Sequence, residues 1–207
     1  MQQAHTDRGG LMPLARRLGR LCREAGRNLY LWLSRQRARL RPRPGRVSRL
    51  RDRDRGDLFL HFATLPGPDR EARFHGRQRY PALLAHCRDI DFAEAILLGR
   101  HAGMRLIAVA ELMPTRLEGQ AAFELAISVS ADWQHRGIAL ALVRSALTQA
   151  RAMSPPRPVM LFTRAQNRSM LRICHRLGGR GELADGEYRF VFDPQPETPA
   201  TLPGAQD

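Results

Sequence analysis

The sequence predicts a mixed α and β fold in which helices pack on a mostly antiparallel sheet. Three observations support this prediction: three apolar runs separated by turn signals, a long amphipathic segment directly after the last run, and an alternating apolar segment near the C-terminus. With 207 residues, 43% of them hydrophobic, the chain is long enough for one domain with a substantial core plus an appendage.

The positive charge of the chain is concentrated near its N-terminus. The formal net charge is +14, and no Lys occurs anywhere. Residues 1–50 hold thirteen Arg against Asp7 and Glu24, whereas the rest holds twenty-one Arg against eighteen acids. The basic character therefore belongs to an N-terminal extension and not to the rest of the chain.

The extension is predicted to contain one helix and a linker. Residues 11–33 place apolar residues three or four apart with arginines between them, which predicts a basic amphipathic helix. Residues 34–46 are rich in Arg, Pro and Gly and predict an extended linker. We expect an extension over 1–45, a domain over 46–193 and a loose Pro-rich tail over 194–207.

The extension has two interpretations of similar weight. Residues 11–46 can act as an arm for an anionic membrane surface or an acidic partner protein. They can equally pack on the domain or on a second subunit and keep their arginines in water. Nucleic acid is the weakest alternative, because aromatic residues are not interleaved with the arginines. The sequence does not indicate an oligomeric state.

The cysteines and the hydropathy pattern predict the compartment. Cys22, Cys87 and Cys174 are scattered and odd in number, which argues against a disulfide framework and against a metal site. No apolar run is long enough to cross a bilayer, and the N-terminus lacks the pattern of a secretory signal. We therefore expect a cytoplasmic protein, and the basic arm would allow peripheral association with the inner membrane face.

The elements of the domain are predicted in chain order. A short strand over 46–50 precedes helical segments over 57–65, 68–74 and 81–87. Apolar runs over 92–98, 105–112 and 121–129 predict an antiparallel meander with turns at 101–103 and 114–120. A helix over 137–152, a strand over 158–163, a helix over 167–177, a loop over 178–187 and a strand over 187–192 complete the domain.

The strand before the long helix carries a candidate base. From residue 123 to 130, apolar side chains alternate with small or polar ones, so one face of the strand is core and the other lines a cleft. The cleft face carries one carboxylate, Glu124. On spacing alone, a role of Glu124 as a base in the cleft and a role as a solvent-facing residue or ion-pair partner have similar weight.

The turn after this strand has the chemistry of a diphosphate site. Gln134-His135-Arg136-Gly137-Ile138-Ala139 joins the strand to the helix with a Gln-x-x-Gly-x-Ala pattern. Such a turn offers unpaired N–H groups, a positive helix end and no bulky Cβ atoms. A cofactor that bears phosphate is therefore expected.

The arrangement resembles the GCN5-related N-acetyltransferase (GNAT) family. In that family a Gln/Arg-x-x-Gly-x-Gly/Ala turn binds acetyl-CoA, and an Asn-x-x-Ala/Met…Leu-Gly helix follows, to which residues 167–178 are similar. The resemblance covers roughly residues 46–193. It is strongest to the acetyltransferase domains of bacterial protein-lysine acetyltransferases, whose first helices residues 57–74 also resemble.

The resemblance implies a fold, a reaction and a set of site residues. The fold would be a mixed, mostly antiparallel sheet of six or seven strands, and the reaction would be direct acetyl transfer from acetyl-CoA to a primary amine in a ternary complex. Glu124 would act as general base. Cofactor-binding positions would be Ile127, Ser128, Val129, Gln134, Arg136, Gly137, Ile138, Ala139, Asn167 and Met170. Asn167 is also suited to cap the helix that it begins.

One departure from the family pattern leaves a second function open. Many members have a Tyr that protonates the departing thiolate, and here that place holds Cys174. A thiol can donate a proton, so Cys174 is a candidate for the acid position, but the residue type favours a small buried apolar role in packing. The alternative function is a non-catalytic acyl-CoA-binding regulatory domain that its basic arm recruits to a membrane or an acidic partner.

Overall fold

A computed structural model describes residues 43–194, which contain seven strands, five α-helices and two short 3-10 turns. The strands are β1 (Pro44–Arg49), β2 (Ile96–Ala102), β3 (Arg105–Leu117), β4 (Gln120–Val129), β5 (Val159–Arg164), β6 (Arg180–Ala184) and β7 (Glu187–Phe192). The helices are α1 (Arg55–Thr64), α2 (Gly67–Arg73), α3 (Tyr80–Asp89), α4 (Ile138–Arg151) and α5 (Arg168–Arg176).

The seven strands form one mixed sheet in the order β1-β2-β3-β4-β5-β7-β6. Every neighbouring pair is antiparallel except β4 and β5, which run parallel because α4 connects them. The longest ladder joins β3 to β4 over ten register pairs. The predicted mixed, mostly antiparallel sheet is therefore confirmed.

The two faces of the sheet bury separate hydrophobic cores. One face packs against α4 and α5, and Leu142 and Val143 of α4 are completely buried there. The other face packs against α1 and α3, with Leu58, Phe62 and Leu83 at its centre. Because apolar residues recur along one side of α4, this helix packs its apolar side against the sheet and leaves its polar side in solvent.

Three boundaries differ from the sequence predictions. The strand predicted over 92–98 begins only at Ile96, because Asp91 holds the preceding residues in a turn: its carboxylate accepts the N–H of Ala93 at 2.8 Å. Strand β3 continues through Pro114 to Leu117 where a turn was predicted. The predicted loop over 178–187 contains β6, whose five residues are all exposed and lack an apolar alternation.

Some predictions lie outside the described residues. The amphipathic helix over 11–33, most of the linker and the C-terminal tail after residue 194 belong to this group. The domain boundaries therefore stay predictions. In the part of the chain that the structure describes, no helix has the length and apolar character needed to span a membrane.

The core beneath α4 can be tested with Leu142→Ala. Because this side chain is fully buried against the sheet, its truncation should lower the free energy of unfolding by about 3 kcal/mol. Urea denaturation measures the change. Arg144→Ala on the exposed side of the same helix should change it by no more than about 0.5 kcal/mol. Equal effects of the two substitutions would contradict this packing.

Candidate functional site

Strands β4 and β5 separate soon after they meet. Their register contains two pairs, Phe123 with Val159 and Glu124 with Met160. Beyond Glu124, residues 125–129 of β4 have no register partner in β5. A wedge-shaped groove therefore opens between the two strands, and one of its walls is the edge of β4.

The backbone of β4 presents its polar groups to this groove from alternate residues. The N–H of Phe123 donates to a carbonyl of the segment before β5 at 2.9 Å, whereas the N–H of Ser130 donates to a β3 carbonyl at 2.8 Å. Since successive residues of a strand direct their polar groups to opposite edges, Ile127 and Val129 direct theirs toward β5. Both residues belong to the predicted cofactor-binding set.

The turn between β4 and α4 leaves the start of the helix open. Gly137 is the N-cap of α4, with φ of 73° in the left-handed region, and no side chain caps the helix. The N–H groups of the first turn, including those of Ile138 and Ala139, lack acceptors within the helix. The exposed guanidinium of Arg136 lies 5.1 Å from the ring centroid of Trp133 and adds positive charge beside this helix end.

Gln134 fastens the turn to its surroundings. Its Nε2 donates to the carbonyl of Val129 at 3.2 Å and to Asp69 Oδ2 on α2 at 3.0 Å. The side chain thus stabilises the turn from within and ties it to α2. A direct contact of Gln134 with a cofactor stays a prediction.

Glu124 projects from β4 onto the face of the sheet that α1, α2 and α3 border. It lies between Met113 of β3 and Met160 of β5, which are its register partners, and its side chain is half-buried. The predicted alternation of β4 is confirmed, because Phe123 and Leu125 face the opposite core. A carboxylate between two thioethers and close to the groove can accept a proton.

A second carboxylate on the same face was missed at the sequence level. Glu111 of β3 is fully buried, forms an ion pair with Arg73 of α2, and accepts a hydrogen bond from His86 Nε2 of α3 at 3.1 Å. Burial lowers the pKa of His86 to about 4, and the charge of Arg73 contributes to that decrease. The sequence did contain a signal for this residue, because Glu111 is a single acid within the apolar run 105–112. A carboxylate in a buried strand requires charged or hydrogen-bonding partners, which should have marked it as a candidate.

Ser128 turns its side chain away from the groove. Its hydroxyl donates to His61 Nε2 at 2.8 Å, because His61 Nδ1 carries the proton that reaches the carbonyl of Leu106 at 3.3 Å. His61 is 2% exposed, and burial lowers its pKa to about 3. Contact of Ser128 with a cofactor stays a prediction.

Helix α5 carries the remaining predicted residues. Asn167 caps it, since its Oδ1 accepts the N–H of Met170 at 3.1 Å, and Met170 packs at the edge of the core. Cys174 is completely buried in that core, and burial raises its pKa to about 12. Packing is therefore the role that the structure favours for Cys174, and the capping role of Asn167 is confirmed.

Comparison with known proteins places this geometry in a family. The model of the Acetyltransferase (GNAT) family matches residues 62–178. A search of curated proteins found no match.

Within residues 43–194, no group of three or more His, Cys, Asp or Glu side chains has the arrangement of a metal site.

Several solved structures share the fold. The GNAT domain of S. lividans PAT has a TM-score of 0.60 and 21% identity, over 71% of this chain and 89% of that chain. An N-acetyltransferase from Staphylococcus aureus Mu50 has a TM-score of 0.60 and 13% identity, over 73% and 99%. PaiA N-acetyltransferase from Thermoplasma acidophilum, solved with coenzyme A, has a TM-score of 0.52 and 14% identity, over 72% and 97%.

The buried His61 predicts a specific pH dependence of stability. Its pKa falls from 6.5 to about 3 on folding, so between these values the unfolded chain binds a proton that the folded chain does not. The stabilising contribution of neutral His61 is fully present above pH 6.5 and is lost progressively as the pH falls toward 3. His61→Gln should therefore reduce the loss of unfolding free energy between pH 7 and pH 5 by about 2 kcal/mol.

Urea denaturation at several pH values measures this slope. The exposed His175 provides a control, and His175→Gln should leave the slope of the wild type unchanged. If His61→Gln leaves the slope unchanged as well, His61 is not the neutral buried group described above.

Proposed function

Because this chain belongs to the GNAT family of acetyltransferases, we propose that it transfers an acetyl group from acetyl-CoA to a primary amine, with both substrates bound at once. One observation carries the proposal. A single strand, β4, presents backbone polar groups to the groove along its edge and a carboxylate, Glu124, on its face. Cofactor binding and proton removal can thus occur side by side.

The residues of the groove and the turn fit acetyl-CoA. The open N-terminus of α4 suits a diphosphate, which the N–H groups of Arg136 to Ala139 would hold. The backbone of Ile127 and the N–H of Val129 suit an amide-containing arm such as pantetheine, because unpaired strand groups form ladder-like hydrogen bonds with it, whereas the Val129 carbonyl already accepts from Gln134. Asn167 stands at the start of the helix that follows β5, and its capping bond uses only its oxygen.

Glu124 would perform the proton transfer. When bound, acetyl-CoA supplies a thioester whose carbonyl carbon forms a C–N bond with the amine while its C–S bond breaks. Glu124 would take, directly or through water, the proton whose loss converts the ammonium into the attacking amine, and the second proton, lost as the amide forms, would pass to solvent. The N–H groups of Ile127 and Val129 would stabilise negative charge on the carbonyl oxygen. These roles need no metal ion.

The acceptor is proposed to be an amine that is cationic before it reacts. Glu124 attracts an ammonium group, and the resemblance to protein-lysine acetyltransferase domains favours a protein lysine over a small amine. The structural similarity to the GNAT domain of S. lividans PAT agrees with this choice but, at 21% identity, supports the fold alone. A panel of lysine peptides and small amines would identify the class.

Cys174 keeps the non-catalytic alternative open. A thiol with a pKa of about 12 that is buried in the core is a poor proton donor for a departing thiolate. In a catalyst, solvent would supply that proton instead. Binding of acetyl-CoA without turnover of any amine in the panel would favour an acyl-CoA-binding regulatory domain.

The role of Glu124 predicts the effect of Glu124→Gln. This substitution keeps the shape of the side chain but removes the base, so kcat with the best amine should fall by about 100-fold or more. Thiol release from acetyl-CoA measures turnover, and calorimetry should show an unchanged Kd for acetyl-CoA. Glu118→Gln, in the exposed turn between β3 and β4, is the control and should retain wild-type kcat. Full activity of Glu124→Gln would refute the proposed base.

The turn predicts a matching defect in cofactor binding. Ala139→Glu adds a negative charge beside the expected diphosphate, so the Kd for coenzyme A should rise by about 100-fold. The helix should tolerate the change, because an acid is favourable in a first turn. Thr148→Glu adds the same charge on the exposed side of α4 and should leave the Kd unchanged. Equal affinities of the two variants would place the diphosphate elsewhere.

A further inference from the structure

Two carboxylates lie close together on the face of the sheet that would receive the acceptor. Glu111 pairs with Ala126 in the β3–β4 register, and Glu124 pairs with Met113. Glu111 and Glu124 are therefore diagonal neighbours on adjacent strands, a relation that separates Cα atoms by about 7–8 Å. Charged side chains at this spacing influence each other and can share a partner.

Of the two carboxylates, Glu111 is the one for which the described residues provide a direct hydrogen bond and an ion pair. Its side chain is fully buried, one oxygen accepts from neutral His86, and the carboxylate forms an ion pair with Arg73, whose side chain is 10% exposed. The Arg73 guanidinium also lies over the rings of Phe74 at 4.7 Å and Phe62 at 5.6 Å. Two aromatic rings and a carboxylate thus hold this cation in one position.

Arg73 retains the capacity to bind a second carboxylate. Burial lowers its pKa to about 10, whereas the negative charge of Glu124 raises it, so Arg73 remains charged near neutral pH and is electrostatically coupled to Glu124. Its Nε is buried and has no hydrogen-bond acceptor among residues 43–194. A guanidinium has five N–H donors and prefers bidentate contacts with carboxylates.

We propose that Glu111 is a positioning residue, which keeps Arg73 bound and thereby leaves the carboxylate of Glu124 free to receive the acceptor ammonium. This inference rests on the proposed function. An ion pair between Arg73 and Glu124 would occupy the oxygens that must accept the proton. Glu111 and His86 prevent that pair, because Glu111 offers Arg73 a buried partner whose second oxygen His86 fixes.

The other titratable groups on this face come from α1, α2, α3 and β3. Helix α1 contributes His61, which is neutral and bound to Ser128, and Arg55, which pairs with Asp52 and donates to carbonyls at the end of α3. Helix α2 contributes Asp69, bound to Gln134, and Arg70, which donates to carbonyls at the end of α1 and just after it, besides Arg73. Helix α3 contributes His86 and the thiol of Cys87, whose pKa burial raises to about 11, and β3 contributes Arg105 near His61. Strand β5 places the apolar Met160 beside Glu124. Of these groups, Arg73 is the cation that the loss of Glu111 would release.

The test compares Glu111→Gln with Arg73→Met/Glu111→Gln. The amide oxygen of the first variant would still accept from His86 but would not neutralise Arg73, which should then pair with Glu124. We expect kcat/KM for the amine to fall about ten-fold or more at pH 7, with the acidic limb of its pH profile moved down by about one unit. The double variant removes the cation and should recover kcat/KM to within about three-fold of the wild type.

Thiol release from acetyl-CoA, with the lysine peptide or small amine that the wild type turns over best, measures these rates. Glu71→Gln and Arg77→Gln/Glu71→Gln change an exposed Glu–Arg pair at the end of α2 and provide matched controls with wild-type kinetics. Wild-type kinetics of Glu111→Gln, or equal defects in the single and double variants, would overturn the proposal, because a purely structural role predicts no recovery.

A crystal structure of Glu111→Gln gives a result that does not depend on activity. It should show the Arg73 guanidinium on the Glu124 carboxylate, and an unchanged Arg73 would overturn the proposal. If the single variant does not fold, the double variant decides, since a loss of kcat as large as that of Glu124→Gln would contradict a positioning role. An inactive wild type would instead refute the proposed function, while the crystallographic result would remain valid.

Discussion

The hydrogen-bonding requirement of β4 organises this protein. The strand is covered on both faces, so its backbone groups need partners along both of its edges. Strand β3 satisfies one edge along ten register pairs, whereas β5 satisfies the other through Glu124 and then separates. A sheet that gives up these bonds at its centre is costly unless a ligand or water replaces them. The divergence of the two strands thus creates the groove and leaves backbone groups along it that a ligand or water can satisfy.

Strand β4 directs its backbone polar groups and its Glu124 side chain to different places. Backbone groups of Ile127 and Val129 lie in the plane of the sheet and point toward β5, whereas the side chain of Glu124 stands perpendicular to that plane. A ligand can therefore bind along the edge of β4 without contacting the helices that border its face. An acceptor that approaches Glu124 meets a surface shaped by α1, α2 and α3, together with Met113 and Met160. Under the proposed function, affinity for the cofactor and choice of the acceptor would therefore depend on different residues.

The sequence predicted the parts of the fold that local pattern determines, namely the alternation of β4, the turn from Gln134 to Ala139 and the helix that follows it. It failed where tertiary contacts decide. Pro114 predicted a turn, yet it lies within β3. The register between β2 and β3 ends at Leu112, so Pro114 has no β2 partner to which a backbone N–H would have to donate. Strand β6 has exposed residues on both faces, so hydrophobic periodicity could not reveal it. The partners of Glu111 come from two distant helices, and only the folded chain brings them together.

Helix α2 joins the two halves of the site. At one point its Asp69 accepts a hydrogen bond from Gln134 of the turn, and at its end Arg73 pairs with Glu111 beneath it. The five residues from Asp69 to Arg73 thus connect the turn before α4 to the face that carries Glu124. A buried ion pair contributes little net stability by itself, but separating its partners leaves an uncompensated buried charge, so moving Arg73 away from Glu111 without a replacement is costly. Under the proposed function, α2 therefore contacts both the turn that would hold the diphosphate and the charged residues beside the proposed base, so a substitution in α2 that breaks either contact is expected to affect the arrangement of that part of the site.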